Sequence, residues 1–228
     1  MRPPPEAVLF DLDGTLLDTA PDMVAALHAL QDEESVPRLA YDSARAWVSH
    51  GVVGVVGAAF GALPETERAR LQQRFIGIYA TCLARETRPF PGMREVLAAI
   101  EAAGVPWGVV TNKVARLSEP ILAACGLRSR CAVVVSGDTT AQRKPHPLPL
   151  LHALDAIGVA PAHAIYVGDA ARDIAAGRAA GTHTVAALYG YIPADEEPAG
   201  WGAEHCIRMP MELLGVAGIP LPQAAVQP

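Results

Sequence analysis

The sequence predicts an α/β fold, a parallel sheet flanked by helices, with a block of helices inserted after the first strand. Three observations predict it. Short apolar runs without polar alternation recur between segments of helical periodicity, the pattern of buried parallel strands joined by crossover helices. A glycine follows each of those helical segments, where a left-handed residue can end a helix before the next strand. Near the start, a stretch of roughly 65 residues carries no strand signal, far longer than the about 2 to 6 residues that usually join α/β elements.

The first strand is the run Ala7-Val8-Leu9-Phe10, closed by the turn Asp11-Leu12-Asp13-Gly14. Helical spacing begins after Pro21 and runs to Leu30, then resumes over 41–86 with breaks at the glycines and at Pro64. Further strands are expected at 105–110, 132–135, 164–167 and 182–187, with helices at 93–103, 117–125, 148–157 and 173–180. Gly104, Gly126, Gly158 and Gly181 fall just beyond those helices. The helical block then forms a cap over residues 19–88, and the α/β core comprises 1–18 and 89–228. Hinges are expected near 18–21 and 88–91, where prolines and polar residues replace the periodic pattern.

Aromatic residues make up only 5% of a chain that is 51% hydrophobic, so the core must be built from small aliphatic side chains. Acidic residues outnumber basic ones 24 to 18 and no long basic run exists, which argues against a nucleic-acid partner. The apolar stretch 52–63 is short and interrupted by Gly54, Gly57 and Gly61, so it is not read as a membrane span. Cys82, Cys125, Cys131 and Cys206 lack C-x-x-C spacing, and residues 1–5 carry no apolar targeting region, a combination that suits the reducing cytoplasm. Either a monomer or a homodimer is compatible with this composition.

On this topology Asp11 and Asp13 follow the first strand, Thr111 and Asn112 the second, Lys144 the third, and Asp169 and Asp173 the fourth. Open parallel sheets bind ligands outside the carboxyl ends of their strands, so the four polar clusters converge on one crevice. Carboxylates gathered there repel one another unless a cation sits among them, and oxygen ligands suit a hard ion such as Mg2+. Lys144, the Thr111 hydroxyl and the Asn112 amide supply positive charge and donors for the non-bridging oxygens of a phosphoryl group. Taken alone, Asp-x-Asp-Gly is a common turn sequence. The weight comes from four clusters in order.

Those clusters, Asp11-Leu12-Asp13-Gly14-Thr15, Val109-Val110-Thr111-Asn112, Lys144-Pro145 and Gly168-Asp169-Ala170-Ala171-Arg172-Asp173, resemble the four motifs of haloacid dehalogenase-like phosphatases, and the resemblance spans residues 7 to about 214. It implies a Rossmann-like core with a helical-bundle cap, and a Mg2+-dependent phosphomonoesterase acting on a small phosphorylated metabolite. It further implies that Asp11 is the nucleophile and a metal ligand. Asp13 would protonate the leaving group and lend its backbone carbonyl to the metal. Thr111 and Lys144 would hold phosphate, Asp169 would be the remaining protein metal ligand, and Asp173 would support the metal shell or the lysine.

Asp18-Thr19-Ala20-Pro21 and the compact cap are similar to phosphoglycolate phosphatase-like enzymes. Trp107-Gly108-Val109-Val110-Thr111-Asn112-Lys113 and the tail from Tyr189-Gly190-Tyr191-Ile192 through Trp201-Gly202-Ala203 resemble bacterial N-acetylmuramic acid 6-phosphate phosphatases. Two departures stand out: Ala170 occupies a position where many members have serine, and His50-Gly51-Val52-Val53-Gly54 lacks an arginine often seen there. The alternatives are a phosphomutase and a non-catalytic binding module on the same fold. Asp13 argues against dehalogenation, and the intact acidic set argues against a silent module. Among the histidines only His50 is a candidate to meet substrate. Gly51, Gly54 and Gly57 read as close packing or a substrate loop, and Asp195-Glu196-Glu197 as a solvated turn.

Overall fold

The computed structural model describes residues 4–220. The outer ends of the expected core, 1–3 and 221–228, lie outside the described residues, as does part of the proline-rich termini. In chain order the strands are β1 (Ala7–Phe10), β2 (Leu17–Asp18), β3 (Arg88–Pro89), β4 (Trp107–Val110), β5 (Val133–Val135), β6 (Ala164–Gly168), β7 (His183–Ala187) and β8 (His205–Ile207). Six of them form one parallel sheet in the order β5-β4-β1-β6-β7-β8. Both faces of this sheet are covered: Val8 and Phe10 belong to one buried cluster, Ala7 and Leu9 to another. All four β1 residues are fully buried, which is why the sequence shows a continuous apolar run there.

Helices α1 (Ala20–Glu33), α2 (Tyr41–Arg45), α3 (Gly51–Phe60) and α4 (Glu65–Thr81) form the insertion, with a 3-10 turn at Val48–His50 before α3. Leu27 and Leu30 of α1 and Leu71 and Phe75 of α4 are buried in one cluster, each burial stabilising by about 1.5–3 kcal/mol. Arg70 pairs with Glu34 and Arg74 with Glu33 across the same helices, but exposed pairs of this kind typically contribute under about 1 kcal/mol. Packing, not charge, holds α4 on α1. Among the described residues no single helix is long and apolar enough to cross a membrane.

The core helices α5 (Met93–Ala102), α6 (Ala115–Ala124), α7 (Leu148–Ile157) and α8 (Ala171–Ala180) fall where the periodicity placed them, and the four glycines beyond them adopt left-handed backbone. The strand expected from residue 105 starts only at Trp107, because Pro106 has no N–H for the ladder; its carbonyl still accepts from Val8 N at 3.1 Å. Three features were not expected. β8 and α9 (Glu212–Ala217) extend the core, and β2 pairs antiparallel with β3 across the two proline-rich joints of the insertion. The joint is tied further by Asp22, whose buried carboxylate accepts from Glu86 N (2.9 Å), Thr87 N (3.0 Å) and Thr87 Oγ1 (2.6 Å).

Candidate active site

Register decides what meets at the sheet edge. Phe10 pairs with Val109 on one side and Val167 on the other, so the chain leaves β1, β4 and β6 at nearly one level, carrying Asp11, Thr111 and Asp169. Asp11 N–H still donates to Val167 O at 2.9 Å, which anchors the residue while its carboxylate projects past the sheet. Gly14 turns the chain back at φ +83°, and a Cβ there would lie 2.0 Å from Asp169 Oδ2. Glycine at this point lets the first turn close onto Asp169.

Asp11, Asp169 and Asp173 each present a carboxylate oxygen within 4.8 Å of the others, and all three are buried. Asp169 accepts from Ser49 Oγ (2.5 Å) and Tyr191 N (2.8 Å) on Oδ2, and from Thr15 Oγ1 (3.3 Å) on Oδ1. Asp173 accepts from Ala170 N (3.1 Å) at the start of α8 and from Tyr166 OH (3.3 Å). Lys144 Nζ lies 2.8 Å from Asp11 and 2.7 Å from Asp173, and donates to Val110 O (2.8 Å) and Tyr166 OH (2.7 Å).

Burial pushes the Asp169 carboxyl up to about 7, with the neighbouring Asp11 and Asp173 charges adding to the effect. Burial likewise raises Asp11, against the pull of Lys144. Asp173 is the exception: burial acts to raise it, but Lys144 and Arg172 outweigh that and hold it below the ordinary carboxylate range. Asp11 Oδ1 is buried with the Lys144 ammonium at 2.8 Å as its ion-pair partner. Three buried carboxylates crowded around one ammonium leave an excess of negative charge that a hard cation would offset, so these residues fit a divalent ion.

Above this floor lies a cavity of about 500 Å³, within the usual range for small-molecule sites. The core lines it with Asp11, Asp13, Thr111, Lys113, Arg143 and Arg172, and the insertion with His50, Val52, Val53, Phe75, Ile76 and Tyr79 among others. His50 therefore faces the cavity as expected, and burial lowers its pKa. Its Nε2 lies 3.4 Å from Glu196 Oε1, so the segment 195–197 is not only a solvated turn. Gly54 packs closely, since a Cβ there would meet Trp47 O at 2.8 Å, whereas Gly57 borders open space.

The geometry gives each expected residue its surroundings. The Asp13 carboxylate is not in the carboxylate cluster; it accepts from Lys113 Nζ at 2.8 and 2.9 Å and from Thr19 Oγ1 at 2.6 Å. Asp173 joins Asp11 and Asp169 and pairs with Lys144 at 2.7 Å, because α8, starting two residues after Asp169, turns it inward. The Asn112 amide donates to the Lys144 backbone O (3.0 Å) and accepts from its N (3.1 Å), which positions the lysine, and the residue also borders the cavity. Lys144 itself has a fully buried side chain beneath the floor, and its charge reaches the cavity through Asp11.

Sequence reasoning passed over Lys113, Arg172, Ser49, Tyr191 and Thr15 as site residues. Lys113 and Arg172 stood inside quoted motifs at strand ends, which was a usable signal. Ser49 had none, since only the fold brings its hydroxyl to Asp169, while Arg172 Nη2 donates to the Ser49 carbonyl at 2.6 Å.

Residues 8–187 match the model of the family described as haloacid dehalogenase-like hydrolase. The chain belongs to that family. Among curated relatives of this haloacid dehalogenase-like hydrolase, a phosphoglycolate phosphatase of Xanthomonas campestris pv. campestris is 45% identical over 218 residues, covering 96% of this chain and 99% of the relative. An N-acetylmuramic acid 6-phosphate phosphatase of Pseudomonas aeruginosa is 45% identical over 212 residues, covering 92% and 94% respectively. A solved structure from Haemophilus somnus, described as a predicted phosphoglycolate phosphatase, superposes with a TM-score of 0.82 at 26% identity and covers 92% of this chain and 97% of its own.

Proposed function

We propose that this hydrolase is a Mg2+-dependent phosphomonoesterase that dephosphorylates a small cytoplasmic metabolite through an aspartyl-phosphate intermediate on Asp11. The observation that carries the reading is the Asp11 carboxylate, which lines the cavity, is held by Lys144 at 2.8 Å and has the buried carboxylates of Asp169 and Asp173 as close neighbours. Asp11, Asp169 and the Asp13 backbone carbonyl would hold the ion, with Asp173 behind them. When bound, Mg2+ offsets the repulsion between a carboxylate nucleophile and a phosphate dianion.

The chain's own residues supply the rest. An Asp11 oxygen attacks phosphorus, the bond from phosphorus to the leaving oxygen breaks, and Asp13 gives that oxygen a proton. Asp13, now a carboxylate, takes a proton from water as the water attacks the aspartyl phosphate, releasing inorganic phosphate and restoring Asp11. Thr111 and Arg172 border the cavity where phosphoryl oxygens would sit, and Lys144 secures Asp11 from below.

One observation favours a bulky sugar phosphate with apolar substituents over a two-carbon phosphorylated acid within this class. The insertion contributes Val52, Val53, Phe75 and Ile76 to the cavity wall, and neither lysine nor arginine among the described residues. The apolar face and the acetyl and lactyl methyl groups of N-acetylmuramic acid 6-phosphate would find contact with that wall, while its lactyl carboxylate, like the carboxylate of phosphoglycolate, would meet cations only on the core side, at Lys113, Arg143 and Arg172. Phosphate release with Mg2+ should be measured on a panel including 2-phosphoglycolate and N-acetylmuramic acid 6-phosphate, beside Asp11→Asn. Turnover independent of Mg2+, or undiminished in Asp11→Asn, would refute the mechanism; a preference for phosphoglycolate would refute the sugar reading alone. Phosphate transferred within the substrate instead of released would mark a phosphomutase, and no turnover of any phosphate ester a binding module.

A further inference from the structure

We infer that Lys113 is a positioning residue for the proton donor: it aims the Asp13 carboxylate into the cavity and takes its own position from helices of the insertion. The inference rests on the assignment of Asp13 as the acid. Lys113 Nζ lies 2.8 and 2.9 Å from the two oxygens of Asp13, a contact that fixes both the side-chain rotamer and the rotation of the carboxylate about its last bond. Thr19 Oγ1 adds a third point of hold at 2.6 Å on Oδ1.

The lysine is itself well anchored. It lies three residues past the end of β4, and its backbone N–H donates to Thr111 Oγ1 at 3.1 Å. The ammonium lies 5.0 Å from the Tyr79 ring centroid of α4 and 3.9 Å from Met23 Sδ of α1. Its side chain is only 7% exposed, and a charge so enclosed holds its partner firmly because water offers no competing site. Asp13 is thus clamped between the core, through β4, and the insertion, through Met23, Tyr79 and Thr19. Without Lys113 the carboxylate keeps Thr19 alone and can rotate away from the leaving oxygen.

A second reading of the same lysine is direct contact with the substrate phosphate, since it also lines the cavity. The two differ in their dependence on the leaving group. Proton donation matters for an alkoxide, which leaves poorly, and little for p-nitrophenolate, which leaves without a proton, while a phosphate contact serves both equally.

The test compares kcat/KM for an alkyl phosphate and for p-nitrophenyl phosphate, with Mg2+, in the full-length parent, Lys113→Met, Lys113→Arg, Asp13→Ala and the Asp13→Ala/Lys113→Met double variant. Lys113→Met should lose at least about tenfold more on the alkyl ester than on the aryl ester, a share of the 10² to 10⁴-fold typical of a general acid, with KM little changed. Lys113→Arg should recover part of that loss. The double variant should be no worse on the alkyl ester than Asp13→Ala. An equal loss on both esters, or losses that multiply in the double variant, would overturn the inference and leave Lys113 as a phosphate ligand. Should Lys113→Met fail to fold in thermal denaturation, Lys113→Gln carries the same comparison. If Asp13→Ala itself depresses both esters equally, the acid assignment falls first, and the role of Lys113 with it.

Discussion

The Tyr191 hydroxyl donates to Asp18 Oδ1 at 2.5 Å, joining the loop after β7 to the strand that leads into the insertion. The same hydroxyl accepts from Ala20 N at 2.9 Å, and the residue's backbone N–H reaches Asp169. One residue therefore links the insertion's first joint to the carboxylate cluster. Tyr191 is 1% exposed, so no water replaces these contacts when the oxygen is removed.

Tyr191→Phe should lower stability by about 2 kcal/mol, the scale of a hydrogen bond to a charged group. Urea denaturation checks this. Affinity for Mg2+ should stay unchanged, because Asp169 is held by the backbone amide, which phenylalanine retains. A variant as stable as its parent would mean that the hydroxyl contact contributes nothing net.

Asp11→Asn should reduce phosphatase turnover by at least about 10³-fold, as expected when a nucleophile is removed. The metal-free variant should nevertheless melt at a higher temperature than the metal-free parent, since one of three crowded buried charges is gone. Calorimetry without and with Mg2+ measures both effects. A lower melting temperature in the metal-free variant would contradict the electrostatic account of the cluster.

The Asp169 carboxyl, at about 7 in the folded protein against an ordinary 3.8, makes a signed prediction. A pKa raised by folding contributes stability that is fully present below about 4 and is lost as pH climbs through about 7, because the folded state then holds a buried charge the unfolded chain carries in water. The contribution of this group to metal-free stability should fall across that window and flatten above it. Saturating Mg2+ favours the ionised form and should remove the fall, and apparent Mg2+ affinity should weaken as pH drops below about 7. Melting curves across pH, with and without Mg2+, and in Asp169→Asn, isolate the effect.

Ser49→Ala removes the 2.5 Å hydroxyl contact to Asp169 Oδ2 contributed by the insertion. Loss of a hydrogen bond that orients a metal carboxylate typically costs about 10- to 100-fold in metal affinity, so Mg2+ binding should weaken by about tenfold in isothermal titration. Unaltered affinity would show that Asp169 is oriented by Thr15 and Tyr191 alone.

Much of the core was legible because its signals are local. β1 is apolar at every position since both faces of the sheet are covered, and it ends where Asp11 must turn outward. β8 was not legible: two of the three residues His205, Cys206 and Ile207 are exposed at the sheet's rim, so no apolar run marks them. The β2–β3 pair is two residues on each side, too short for any periodicity, and exists because the far ends of the insertion return to one place.

The candidate site divides in the same way. The order of Asp11, Thr111, Lys144 and Asp169 after successive strands is a property of the chain, and parallel topology carries each to the same edge. Which carboxylates then face one another is not. Lys113 and Thr19 hold the Asp13 carboxylate apart from the cluster, while α8 turns Asp173 inward onto Lys144. Residue types and their spacing along the backbone determined the fold class and the chemistry available. Only packing across long stretches of chain, 154 residues between Thr15 and Asp169, decided which charges pair and which carboxylates crowd together. The physical reason is that hydrogen bonds and ion pairs act over a few ångströms of space, and a linear sequence records no such distance.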